Sequence, residues 1–324
     1  MLISRLIPVI LFCVVLPAAA WPDEQKDFRH FHRTGDWKKT LQFYSPPPDG
    51  KDSSEDLMRL AEANYFLNRL DAAEAAAKKA LSISGSAEAN MLLALIRAKR
   101  GAREEALKEL SAQAERGVPG ALTAMGLIWN RINPKTALAL FQRAVEKNDD
   151  DFWAWFQIGL IYEEEENFEK AIRAYKHAVR INPYSAQAHN NLGYGYKEMG
   201  FYLYAINEYQ KALNLMPDNP GFYYNIGNAL THEERIEEAF QAYRRAVELA
   251  PTFAKAHYNL GRTFLRKDMV KEAIGELKLY IKHGNTAVFD YVSPKDVVEE
   301  EIEDLEKYLR DNPDEKPAQR KLAR

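Results

Sequence analysis

Cysteine is nearly absent: the 324 residues hold one, Cys13. It lies in an apolar N-terminal run, and the rest of the chain can form no disulfide, thiolate nucleophile or thiolate metal site. There is no Asn-x-Ser/Thr sequon, phosphate-binding glycine loop, G-x-S-x-G elbow or dinucleotide fingerprint, which removes the usual motifs of nucleotide-dependent and acyl-transfer enzymes. His232-Glu233-Glu234-Arg235-Ile236 begins like a zinc-protease motif but has Ile236 where the second histidine is required. His30 and His32 lack a third ligand. No metal or other cofactor is expected. Neither charge sign dominates: 44 basic and 47 acidic residues give −3, a balance that disfavours strong nucleic-acid or anionic-membrane affinity.

Long apolar runs are also scarce. The eleven residues Leu6–Leu16 are too few for a membrane span, which needs roughly 20. Arg5 before them and Pro17-Ala18-Ala19-Ala20 after them form a signal-peptide pattern over 1–20, with cleavage after Ala20 and Trp21 as the mature start. The alternative is an uncleaved N-terminal anchor. Phe12 and Val14 flank Cys13 without the small residue of a lipidation site. The mature chain would carry −4 with 43 basic and 47 acidic residues. Export without cysteine fits a bacterial periplasm, so the expected location is periplasmic or secreted.

What the sequence has is a period. Gly159, Gly193, Gly227 and Gly261 are 34 residues apart, as are Ala171, Ala205, Ala239 and Ala273, and Pro183, Pro217 and Pro251. Trp155, Ile158, Gly159 and Tyr162 form one helical stripe, and Ala171, Tyr175 and Ala178 form a matching one. Small residues at 159, 171 and 178 permit close approach, and Pro183 stops the second helix. Each unit is a helix–turn–helix whose apolar seam must be covered by the next unit. Tyr280 departs from the pattern by standing where a small residue is expected. The run Glu163–Glu166 is expected to be a solvated turn.

The order Trp155, Ile158-Gly159, Tyr162, Ala171, Tyr175, Ala178, Pro183 resembles the tetratricopeptide repeat signature and recurs in the following units. The resemblance implies an all-α, right-handed superhelical solenoid of helix–turn–helix repeats. The expected organisation is a degenerate half-unit and Pro-rich linker over 21–50, three divergent repeats over 54–151 and four well-matched ones over 152–287. A capping helix over 293–310 follows, with Ser293 as N-cap and Pro294 at its first position, and then a disordered tail over 311–324.

In such solenoids the first helix of each unit lines a concave groove. Away from the seam, one slot on these helices repeats as Gln157, Asn191, Asn225 and Asn259. An amide both donates and accepts, so a row of them can bind extended peptide backbone; it is similar to the asparagine ladder of O-linked N-acetylglucosamine transferases. The alternative is that the amides bridge neighbouring helices. Trp153, Tyr194, Tyr224 and Tyr258 are candidates for partner contact or for inter-repeat packing. Asn228, Lys255, Arg262 and Arg266 complete the candidate set, and the cations lie toward the last repeat, opposite Glu163, Glu164 and Glu198. The Lys/Asn pairs of the chaperone-binding carboxylate clamp are missing. The expected function is a non-enzymatic scaffold that holds a peptide or protein in the groove, in envelope assembly or secretion. The alternative is an adaptor recruiting substrates to a separate enzyme such as a glycosyltransferase or protease.

Overall fold

Apolar residues at helical spacing, with a turn signal about every 17 residues, produce paired helices rather than strands. The computed structural model describes residues 32, 34–44, 52–286, 288 and 292–312. The leader at 1–20, the Pro46–Gly50 linker and the tail beyond 312 lie outside them. Among the described residues there are sixteen helices and no strand. No helix there is long and apolar enough to cross a membrane.

The chain divides into two compact units, one ending at Met199 and the other starting at Gly200. The first unit contains α1 (Trp37–Gln42) and then the repeat helices in pairs. These are α2 (Ser54–Phe66) with α3 (Leu70–Ser84), and α4 (Ala87–Lys99) with α5 (Arg103–Glu115). Next come α6 (Ala121–Asn130) with α7 (Pro134–Lys147), α8 (Phe152–Glu164) with α9 (Phe168–Ile181), and finally α10 (Ala186–Glu198). Side chains of Ser53, Ser86, Asn133, Asp151, Asn167 and Ser185 cap helices by accepting a backbone N–H. The first helix α4 directly touches the first helices on either side of it, α2 and α6. Helices on the inside of a curved stack are the ones brought together, so this face is the inner one.

The second unit contains α11 (Tyr202–Leu215), α12 (Pro220–His232), α13 (Ile236–Leu249), α14 (Ala254–Arg266), α15 (Val270–His283) and α16 (Lys295–Asp311). Helix α16 begins one residue later than its sequence implies. Pro294 itself takes the N-cap position with extended backbone, and Ser293 lies outside the helix. Val298 and Ile302 of α16 are buried with Leu277 and Tyr280 of α15.

The seam is built from a glycine facing a ring. A Cβ added at Gly126, Gly159 or Gly227 would meet Phe141, Tyr175 or Tyr243 at 2.5, 2.4 and 2.6 Å. The last repeat exchanges the sizes: Leu277 stands at the ring position, opposite Gly261, and Tyr280 at the small position. Tyr280 is fully buried, and its hydroxyl donates to the Ser293 carbonyl at 2.5 Å, just before α16. The apparent break in the repeat is therefore a fitting for the last helix.

The turn that follows a first helix needs one residue in the left-handed region. Glu166, Gly200, Glu234 and Asp268 fill it 34 residues apart, with φ of 56, 78, 56 and 57°. The acidic run is only partly a turn: Glu163 and Glu164 complete α8, and Glu165 and Glu166 make the turn. A left-handed non-glycine residue costs roughly 1 kcal/mol. Glu234→Gly is therefore expected to raise the urea midpoint slightly; a lower midpoint would contradict this reading of the turn.

Candidate functional site

The repeated tyrosine organises the polar side of the seam. In the first unit, the Tyr175 hydroxyl on α9 donates to Glu163 Oε2 of α8 at 2.8 Å and accepts from Asn191 Nδ2 of α10 at 3.4 Å. Asn191 Oδ1 accepts from Gln187 at 2.7 Å and from Asn190 at 3.2 Å. In the second unit, the Tyr243 hydroxyl donates to Asn228 Oδ1 at 2.8 Å and lies 3.1 Å from Thr231 Oγ1. Asn259 Nδ2 donates to Asn228 Oδ1 at 2.7 Å, with the Tyr243 hydroxyl at 3.5 Å. Burial pushes the Tyr243 phenol well above its ordinary range, so it stays protonated as a donor.

Asn191, Asn228 and Asn259 thus bridge one repeat to the next. The amide row expected to face a partner is at these positions tied into the protein. Gln157 is fully buried and presents no surface; its Oε1 accepts from Asn130 Nδ2 at 3.3 Å. Asn225 and Lys255 are half-buried and hold interactions within the protein. Tyr243→Phe is expected to lower stability by about 1–2 kcal/mol, because Thr231 and Asn228 lose a buried partner. A urea midpoint equal to the parent's would show that the hydroxyl network contributes nothing.

The aromatic candidates also have packing roles. Tyr224 lies 6.2 Å from the Tyr243 ring and 5.1 Å from Phe253, and Tyr258 lies 5.0 Å from Tyr280. Trp153 meets Phe152 edge-on at 4.7 Å and Phe66 at 6.4 Å. Tyr194 contacts Phe168 at 6.2 Å, and the Lys197 ammonium sits 4.7 Å over its ring. All four remain half-exposed. Arg262 is exposed but pairs with Glu301 of α16. Arg266 is exposed and makes no ion pair among the described residues.

Sequence reasoning missed Glu163, Thr231 and the tyrosine hydroxyls as members of these networks. Their only signal is position: 163 and 231 occupy the same repeat slot but hold unlike residues. It also missed His257, whose Nδ1 lies 2.6 Å from Glu276 and whose Nε2 lies 2.9 Å from the Pro251 carbonyl. Burial would lower the histidine's pKa, but hydrogen bonds to Glu276 and Pro251 outweigh it and raise the value. A raised folded pKa gives stability that is fully present below the unfolded value, about 6.5, and is lost as pH rises through the folded one. The melting-temperature advantage of the parent over Glu276→Gln should therefore be larger at pH 5.5 than at pH 9. An advantage that grows with pH would reverse the sign.

Family models match this pattern. Models described as TPR repeat match 202–232 and 227–268, and models described as tetratricopeptide repeat match 152–185 and 57–86. The chain carries tetratricopeptide repeats. Several solved structures are similar to part of the chain. One is MamA, at 20% identity and TM-score 0.48, covering 49% of this chain and 94% of that one. MamA 41-end from Desulfovibrio magneticus RS-1, also at 20% and 0.48, covers 50% and 92%. YrrB, described as a TPR protein with an unusual peptide-binding site, reaches 22% and 0.49 over 53% and 90%. No curated protein sequence matches. The tetratricopeptide fold suggests a protein–protein interaction scaffold.

Proposed function

We propose that this tetratricopeptide repeat protein is an exported, non-enzymatic scaffold that holds a peptide or protein partner along the first-helix face of its repeats, in envelope assembly or secretion. The supporting observation is a division of labour between faces. The glycine–ring seam of the first helices is buried, while Trp153, Tyr194, Tyr224 and Tyr258 on the same helices stay half-exposed and Arg266 is exposed. Rigid aromatic side chains on preformed helices lose little entropy on binding. The amides add partner contacts only through edges that their internal hydrogen bonds leave open. YrrB, which has a peptide-binding site by its description, offers a parallel for this use of the fold.

The test starts from affinity purification out of the native host and identification of the captured protein by mass spectrometry. That protein is then titrated against Lys255→Glu/Arg266→Glu. An affinity loss of about tenfold, mainly in association rate and weaker at high salt, is expected. Unchanged affinity contradicts partner contact at these positions. The export part predicts Trp21 as the mature N-terminus in the soluble exported fraction; Met1 retained on membrane-bound protein contradicts it.

A further inference from the structure

Three cations end helix α4, and they are treated differently. Arg97 pairs with Glu109 of α5, and Arg100 pairs with Asp71 and Glu74 of α3, so both are neutralised by second helices. Lys99 turns to the first helices instead, where its ammonium lies 4.7 Å from the centroid of the Tyr65 ring on α2. Arg131 immediately follows α6. Because α2 and α6 both touch α4, Tyr65, Lys99 and Arg131 stand at the same end of three adjacent inner helices. Neither Lys99 nor Arg131 makes an ion pair among the described residues, and both are exposed.

The electrostatics agree. Burial, and then the charge of Arg131, hold the Lys99 ammonium below its ordinary pKa. The Tyr65 phenol is pushed up to about 12 by burial, with Arg131 pulling the other way. Arg131 is thus a charge felt by both neighbours. Like charges at the same end of neighbouring helices raise the energy of the free protein, and an incoming anion relieves it.

The surroundings are also unsaturated. Beside Arg131, the Asn130–Gln157 pair makes its one hydrogen bond and leaves Asn130 Oδ1 and the buried Gln157 Nε2 without a partner among the described residues. Next to Tyr65, half-buried Phe66 meets the Tyr65 ring edge-on at 6.1 Å, stacks on Trp37 at 4.0 Å and approaches Trp153 at 6.4 Å.

We propose that Lys99 and Arg131, beside Tyr65, form a docking point for an acidic side chain of a bound peptide, with Phe66 and Trp153 as the adjoining apolar wall. This rests on the scaffold reading, and it adds the chemistry of the partner. The arginine offers a planar pair of donors to the carboxylate and the lysine a point charge.

The probe is a terminally blocked hexaglutamate peptide, with hexaglutamine as the neutral comparison, titrated calorimetrically at low salt against the whole chain. Hexaglutamate should bind and hexaglutamine should not. Lys99→Gln/Arg131→Gln should weaken hexaglutamate by about tenfold. Lys108→Gln/Lys147→Gln, which removes the same charge from exposed second-helix positions, should change it less than about twofold. Both pairs are exposed, and circular dichroism confirms folding. The lysine signal of Lys99 should also titrate higher when hexaglutamate is bound. The assignment is overturned if the parent ignores hexaglutamate, if Lys99→Gln/Arg131→Gln binds it equally, or if both double variants lose equally. None of these outcomes touches the second unit, so the scaffold reading is decided separately by the partner titration at Lys255 and Arg266.

Discussion

Gly159→Ala is expected to destabilise the first unit strongly, although alanine is the better helix former by about 1 kcal/mol. The new Cβ would lie 2.4 Å from Cε1 and 2.6 Å from Cδ1 of Tyr175. That ring cannot move aside easily, because it is fully buried and its hydroxyl is held by Glu163 and Asn191. Overpacking costs roughly 1–3 kcal/mol, and a contact this short belongs at or above the upper end. In the Tyr175→Leu background the same change should cost far less, since Gly261 already faces Leu277 at 3.1 Å. Gly275→Ala supplies the opposite sign: nothing lies within 4 Å, so it should stabilise by about 0.5–1 kcal/mol. Urea melts of the parent, Gly159→Ala, Tyr175→Leu and the double variant form a cycle. Equal costs of Gly159→Ala with and without Tyr175 would show that the glycine–ring contact is not what constrains the seam.

Ending the chain after Val292 is expected to have the second large effect. It removes Val298 and Ile302, which are buried, and the half-buried Leu305 and Leu309. It also exposes the sides of Leu277 and Tyr280 that α16 covers, and deletes the ion pairs Arg262–Glu301 and Lys278–Glu306. The exposed pairs contribute little. Each fully buried aliphatic side chain is worth about 1.5–3 kcal/mol, so two give on the order of 3–6 kcal/mol. The shortened protein should melt earlier and aggregate, as a repeat stack does without its terminal cap. Val298→Asp/Ile302→Asp should do the same with the chain length kept. An unchanged midpoint in both would mean that α16 does not stabilise the array.

The periodic part of the fold was legible because the signals are local. Gly159, Gly227 and Gly261 mark close approach, and helices α9, α11 and α13 each stop two residues before Pro183, Pro217 or Pro251. Tyr280 read as an irregularity because its meaning depends on α16, a separate helix. The amide slot was equally visible, but its use was not. Whether Asn191 or Asn259 faces a partner or a neighbour is decided by the hydroxyl of Tyr175 or Tyr243 on another helix, and sequence spacing carries no such angle. Lys99 and Arg131 escaped notice because the divergent repeats are shorter than 34 residues. The slot they share with Glu164 and Arg266 is thereby shifted out of register.

The central claim is that the first-helix face, and not the outer face, takes the partner. Site-specific photocrosslinking in the native host tests it most directly, with a benzophenone side chain placed in turn at Lys255 and Arg266 on α14, or at Gln241 on α13 and Lys271 on α15. The account predicts one discrete crosslinked partner from the two α14 positions and none from the two second-helix positions. Crosslinks of equal yield from both faces, or from Gln241 and Lys271 alone, would contradict it.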